Sequence, residues 1–347
     1  MKSTRRFFWF GLGLLSLLAL PGPVFAQVAA PAQAPGRPAD VAEPAWFKVS
    51  FLDLTDDVKE ARQTGKRLLL YFHQDNCPYC NKLLVENFGP PALASKVRRH
   101  FEVVSLNLFG DREVTDFSGK ATTEKAFARS QRVQFTPTLL FLDEAGQVAL
   151  RLNGYIPPPQ FEMALDYVAA RLEKQQTFGD YQQQRAPPAA GGKLPDEPWL
   201  LPSPLDLGRP DPRPLLVLFE QSACAACVEL HAEGLVRPEV KALLKGFRVA
   251  RVDIRSPDSL RLPEGTRDTM RAWARRLNIV YTPSLLFFDG AGKEIFRVEG
   301  YLRAFHLVSS LEYVATGAYR EQPEFQRFIE ARAAARRAQG ERINVLQ

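Results

Sequence analysis

The stretch LLLYFHQDNCPYCNKLLVENF, residues 68–88, sets an apolar run against the start of an amphipathic one, with Cys77 and Cys80 at the join. Its reading decides the fold, because two cysteines three residues apart can be a redox couple, a metal clamp or a structural staple. The run LLLYF reads as a buried strand, and the segment from about 79 to 88 as a helix. The pair therefore lies where a strand ends and a helix begins.

The same arrangement occurs twice. LLLYFHQDNCPYC (68–80) aligns with LLVLFEQSACAAC (215–227) at an offset of 147, and FTPTLLFLDEAGQVALRLNGY (135–155) with YTPSLLFFDGAGKEIFRVEGY (281–301) at 146. The entrances match as well, EPAWFKVSFLDL against DEPWLLPSPLDL, with Trp46 and Trp199 in step. A period this long is too great for a solenoid and indicates a duplicated domain. Each copy reads as strand, CxxC, helix, strand, long connection, helix, Thr-Pro, strand, turn, strand, helix. In the first copy the strands are LLLYF, EVVSLNL, TLLFLD and QVALRL, with helices at about 79–88, 122–132 and 159–174. Strands mixed with helices in this order indicate an α/β layer fold.

The remaining segments set the boundaries. MKSTRR, the apolar FFWFGLGLLSLLAL and PGPVFA form a signal peptide over 1–26, with cleavage expected after Ala26. The apolar core is shorter than the roughly 20 residues a membrane-spanning helix needs, which argues against an uncleaved anchor. TRRFF also resembles a twin-arginine export signal. Ala/Pro-rich residues 27–44 read as a tether and 179–196 as an interdomain linker. The domains are then 45–178 and 197–320, followed by a C-terminal helix and tail at 321–347, docked through Phe325, Phe328 and Ile329 with its arginines in water. Loss of Lys2, Arg5 and Arg6 with the leader lowers the formal charge from +6 to +3. No basic block interleaved with aromatics survives, so nucleic-acid binding has no support.

The first cysteine of each pair, Cys77 or Cys224, faces the free N–H groups and positive dipole end of a helix start, which stabilises a thiolate and lowers its pKa below the free value of about 8.5. The second, Cys80 or Cys227, lies one turn further on and can close a disulfide. Attack, mixed disulfide and resolution by the partner is the chemistry this spacing permits. It needs no cofactor.

Strand, CPYC or CAAC at a helix start, and a downstream Thr-Pro before a hairpin resemble the thioredoxin fold. That resemblance implies two tandem thioredoxin-like domains, each a central mixed sheet flanked by helices. It also implies that Pro137 and Pro283 are cis and lie against the CxxC, and that Thr136, Pro137, Thr282 and Pro283, with Pro78 and Tyr79, meet substrate; the duller reading of Thr136 and Thr282 is that β-branched residues favour the extended conformation before proline. GDREVTDFSGKATTEKAFARSQRVQFTPTLLF (110–141) and GYLRAFHLVSSLEYVATGAYREQPEFQRFIEARA (300–333) are similar to periplasmic thioredoxin-related proteins of the SoxW-like type. This further resemblance implies a periplasmic reductase of protein disulfides, fed by a membrane thiol transporter. One departure stands out. Where thioredoxin has a buried aspartate six residues before its first cysteine, this chain has Tyr71 and Leu218. His73, Glu86, Glu220 and Glu229 are merely near in sequence, and solvent is the other acceptor for the resolving thiol's proton.

Rival readings remain. All four cysteines belong to the two pairs, so a structural role would rest on a loop too short to restrict the unfolded chain much. A zinc site shared by both pairs would require two helix starts to converge. CAACVELH places Cys224, Cys227 and His231 on one helix face, a soft ligand set for copper(I) or zinc, against which His231 reads as a solvated surface residue. Such a set would make the chain a metal or redox-protein chaperone. Disulfide isomerase is the third alternative. His73, His100 and His306 read as surface or packing residues.

Overall fold

The computed structural model describes residues 40–185, 194–222, 224–300 and 302–343. The expected signal peptide and all but the end of the expected tether lie outside the described residues. Among those described, no helix is long and apolar enough to cross a membrane.

The first copy runs α1 (Leu54–Gln63), β1 (Arg67–His73), α2 (Pro78–Leu83), α3 (Pro91–His100), β2 (Phe101–Asn107), β3 (Glu113–Thr115), β4 (Ala121–Thr123), α4 (Glu124–Ser130), β5 (Thr138–Leu142), β6 (Val148–Asn153), α5 (Pro158–Ala169) and α6 (Phe178–Arg185). A wider π turn, Leu84–Phe88, prolongs α2. The second copy runs β7 (Leu215–Glu220), α7 (Ala225–Glu229), α8 (Pro238–Leu244), β8 (Arg248–Asp253), β9 (Ser259–Arg261), β10 (Arg267–Thr269), α9 (Met270–Arg276), β11 (Ser284–Phe288), β12 (Glu294–Glu299), α10 (Ala304–Ala315) and α11 (Phe325–Ala338). Here too a π turn, Leu230–Gly234, prolongs α7.

Each main sheet is mixed, in the order β2-β1-β5-β6 and, in the second copy, β8-β7-β11-β12. The strand that delivers the CxxC pairs parallel with β2 or β8 and antiparallel with β5 or β11. Both faces of β1 are covered: Leu69 and Tyr71 join one apolar cluster, Leu68, Leu70 and Phe72 the other. Burial on both faces explains why this strand reads as a continuous apolar run. The expected fold class is observed in both copies.

The terminal helices depart from expectation. The linker expected at 179–196 begins as helix α6, which buries Phe178 and Tyr181 against Tyr167 with ring centroids 5.3 Å apart. Helix α11 is its counterpart. The Tyr167 hydroxyl donates to the Gln176 carbonyl at 2.7 Å, and Tyr313 does the same to Gln322 at 2.7 Å. The duplicated unit thus includes a terminal helix in both copies, because each offers two aromatic side chains to the same hollow. Phe325 is fully buried, with its ring 4.7 Å from Phe296 and 5.0 Å from Tyr313. Phe325→Ala should cost about 3–5 kcal/mol in urea-induced unfolding; a loss below 1 kcal/mol would mean that α11 is an appendage.

Candidate functional site

Cys77 and Cys224 occupy matching places. Each is the N-cap of its helix in extended conformation, with φ −91° and −112°, as the strand-to-helix turn requires. Each Sγ accepts the backbone N–H of the second cysteine, at 3.1 Å from Cys80 and 3.0 Å from Cys227. Both pairs are closed as disulfides with Cα separations of 5.1 and 5.2 Å. Pro78 stands at the first helical position, where its missing N–H costs nothing.

The Thr-Pro segments reach these sulfurs. Thr136-Pro137 and Thr282-Pro283 are cis peptides. Cys77 Sγ lies 3.5 Å from Thr136 Oγ1, and Cys224 Sγ lies 3.4 Å from the Thr282 carbonyl oxygen. The structure brings together Cys77, Cys80 and Thr136-Pro137 in one copy, and Cys224, Cys227 and Thr282-Pro283 in the other.

The sequence does not show that these two faces meet. Phe135, just before the first Thr-Pro, packs into the second copy, its ring 5.6 Å from Phe296 and 5.3 Å from Phe325. Its counterpart Tyr281, with the preceding Val280, packs against the core of the first copy. Burial pushes the Tyr281 hydroxyl's pKa well up. Asn153 donates to Glu299, the residue equivalent to it in the repeat. Arg129 pairs with Glu324 at 2.6 Å, and Gln74 with Glu330 at 3.2 Å. A cavity of about 870 Å³ at this junction is lined by Phe135, Arg151, Asn153, Val280 and Arg297, among others. Tyr79, between the first two cysteines, has its ring 5.5 Å from that of His306 on α10. Cys77 is 4% exposed and Cys224 7%, so access to the sulfurs is narrow.

His306 is therefore a packing residue, as expected, but one set against the CPYC turn. Burial lowers its pKa to about 4, so it is neutral at pH 7. Unfolding frees it to bind a proton at about pH 6.5, so its contribution is complete above that pH and is lost as pH falls towards 4. The loss is at most about 3 kcal/mol. His306→Gln, which installs the first copy's Gln160, should flatten the stability profile over that window. An unchanged difference between the two proteins at pH 7 and pH 4.5 would contradict the linkage.

The proton acceptors suggested by the sequence fare differently. Tyr71, at the position of the missing aspartate, is buried without a hydroxyl partner, and burial, with the Glu43 and Asp40 charges, pushes its pKa far up. It cannot serve as a base at neutral pH. His73 stacks on Tyr71 and faces Glu43 at 3.6 Å, with burial lowering its pKa. Glu86 is engaged by Tyr155, and Glu229 is exposed. Glu220, by contrast, is fully buried and meets His231, itself 3% exposed. This corrects both earlier readings of His231. It is not a surface residue, since the helix turns it inward to a buried carboxylate. Nor do Cys224, Cys227 and His231 gather as a metal site: among the described residues no such cluster occurs, and the cysteines are spent on each other. Glu220 stands at the strand end and His231 four residues after Cys227, but neither position in the sequence says which way its side chain turns.

The sequence model of the thioredoxin-like domain family matches residues 54–169 and again 208–315. The chain belongs to that family. Its two thioredoxin-like domains are the two copies described above. Similar solved structures include a thioredoxin-fold protein from Helicobacter pylori, at 23% identity over 35% of this chain and 80% of that one, TM-score 0.30. A thioredoxin from Thermus thermophilus is 24% identical over 34% of this chain and 85% of that one, TM-score 0.29. The oxidised C-terminal domain of DsbD from Neisseria meningitidis is 18% identical over 29% and 80%, TM-score 0.24. Comparison with curated proteins gives no match. Thioredoxin-like domains carrying two close CxxC pairs fit a thiol–disulfide oxidoreductase.

Proposed function

We propose that this chain is an exported, periplasmic thiol–disulfide oxidoreductase that reduces protein disulfides. One observation carries the reading: in both domains the first cysteine caps a helix, accepts the second cysteine's N–H and touches the Thr-cis-Pro segment. An attacking sulfur, its resolving partner and a backbone segment able to hold an extended substrate are thereby juxtaposed. The thiolate of Cys77 or Cys224 attacks one sulfur of a substrate disulfide, forming a mixed disulfide and releasing the other sulfur as thiolate. Cys80 or Cys227 then attacks the first cysteine's sulfur and expels the second substrate thiolate. Two electrons pass to the substrate, the two thiol protons end on its sulfurs, and the enzyme is left as the disulfide seen here.

The leader over 1–26 supports the periplasmic setting, and the SoxW-like resemblance supports the reductive direction and a membrane thiol transporter as donor. The packing of Phe135, Val280 and Tyr281 across the domain junction supports a further reading, in which the two pairs exchange electrons with each other. The protein should accelerate dithiol-driven reduction of insulin, followed as turbidity of the released chains. Cys77→Ser with Cys224→Ser should return the rate to that of dithiol alone. An unaltered protein no faster than dithiol alone would refute the activity.

A further inference from the structure

Domain 2 holds a buried ionisable pair that domain 1 lacks. Glu220 is the last residue of β7 and is fully buried. It lies two residues beyond Leu218, so on the same face of the strand and one pleat closer to the CxxC. His231 lies four residues after Cys227, about one turn further on, in the π turn that prolongs α7. Its Nε2 is 3.1 Å from both carboxylate oxygens of Glu220. With Glu220 as a carboxylate, which can only accept, Nε2 is the nitrogen that carries the hydrogen. Nδ1 is then a lone-pair acceptor, and it is buried with no hydrogen-bond partner. Cys227 is fully buried too, so solvent does not reach its sulfur directly.

We infer that His231 Nδ1 is the proton acceptor for the resolving thiol Cys227, with Glu220 as the positioning residue that fixes the imidazole tautomer and orientation. The inference rests on the proposed exchange chemistry. With substrate held on Cys224, the Cys227 proton passes to Nδ1 as its sulfur attacks Cys224 Sγ. The Cys224–substrate bond breaks, the Cys224–Cys227 bond forms, and the departing substrate thiolate takes up a proton from solvent. The imidazolium then returns its proton to water.

The other titratable groups on the surrounding elements do not supply this function. Asp253 stands opposite Glu220 in the β7–β8 register and accepts the Arg255 N–H, Glu229 and Glu233 are exposed on the same helical segment, and Glu312 on α10 pairs with Arg332. His306, also on α10, lies beside Tyr79 of domain 1. Domain 1 has His73 and Leu84 at the equivalent positions. There the histidine comes from the strand and meets the partly exposed Glu43. Proton handling should therefore differ between the two domains.

The test uses the full chain with Cys77→Ser and Cys80→Ser, reduced and mixed with the aromatic disulfide 5,5′-dithiobis(2-nitrobenzoate). Attack by Cys224 releases one coloured thiolate, and resolution by Cys227 releases a second. Glu220→Gln should leave the first release unchanged and slow the second at pH 7 roughly a hundredfold, the scale of general-base assistance. Its second phase should rise about tenfold per pH unit, as unassisted ionisation does, where the parent's rises less steeply. Glu220→Asp should restore part of the rate. Glu220→His with His231→Leu, the combination domain 1 already packs, should behave as Glu220→Gln does. Equal second phases with equal pH slopes in parent and variants would overturn the inference. Absence of both releases in the parent would instead refute the exchange chemistry on which it rests.

Discussion

Cys80→Ser or Cys227→Ser will leave substrate stranded on the enzyme, whereas Cys77→Ser or Cys224→Ser will strand none at the altered site. The asymmetry follows from position. Cys77 and Cys224 sit at the helix cap in contact with the Thr-Pro segment, while Cys80 and Cys227 lie inside the first helical turn, behind them. A mixed disulfide can therefore form on the first cysteine only, and without the second nothing removes it. To keep the sites separate, each variant is read by mass spectrometry of the peptide carrying the altered site after reaction with an oxidised protein and acid quenching. A substrate adduct on Cys80 in the Cys77→Ser protein would reverse the assigned roles.

The second large effect concerns the two sites together. Phe135 lies against Phe296 and Phe325, Val280 and Tyr281 lie against the domain 1 core, and Tyr79 meets His306. The faces that carry Cys77 and Cys224 are thus held near each other within one chain, where effective concentrations reach the millimolar range or above. Combining Cys80→Ser with Cys227→Ser leaves one thiol per domain. Mild oxidation of that protein with diamide should give a Cys77–Cys224 bridge within a single chain, dominant even at dilute protein concentration. The intervening residues differ, Pro78-Tyr79 against Ala225-Ala226, as do the histidines near each site, so the native pairs should not be equally stable and electrons should pass in one preferred direction. Free thiols persisting after diamide, or bridges formed only between chains, would leave two independent modules.

The duplicated pattern made the fold legible because each CxxC strand is buried on both faces and so reads as an uninterrupted apolar run. The four strands of the first main sheet coincide with LLLYF, EVVSLNL, TLLFLD and QVALRL. What escaped were elements whose burial is partial. Helices α1 and α3 and the short β3–β4 pair follow mixed polar sequence, and α6 is rich in glutamine and holds on through Phe178 and Tyr181. The cysteines and the Thr-Pro positions were likewise legible, since strand–helix junctions place them by local rules. The Glu220–His231 pair was not. Its partners lie on different elements, and nothing in a strand-end glutamate or a helical histidine says which way it turns until the π turn and the strand pleat are fixed. The packing of the two domains was equally hidden, because Phe135 and Tyr281 read as ordinary residues preceding a strand.

The question raised by the two CxxC pairs, couple or staple, has a direct measurement. The intact, oxidised protein is equilibrated in a series of thiol–disulfide buffers, quenched by acid and alkylated, and each pair is read by peptide mass spectrometry. Redox couples should both titrate reversibly, within the span of about −270 to −120 mV covered by CxxC proteins, and at midpoints that do not coincide. A pair that stays oxidised below about −300 mV, where structural disulfides lie, would be a staple and would contradict the proposed function at that site.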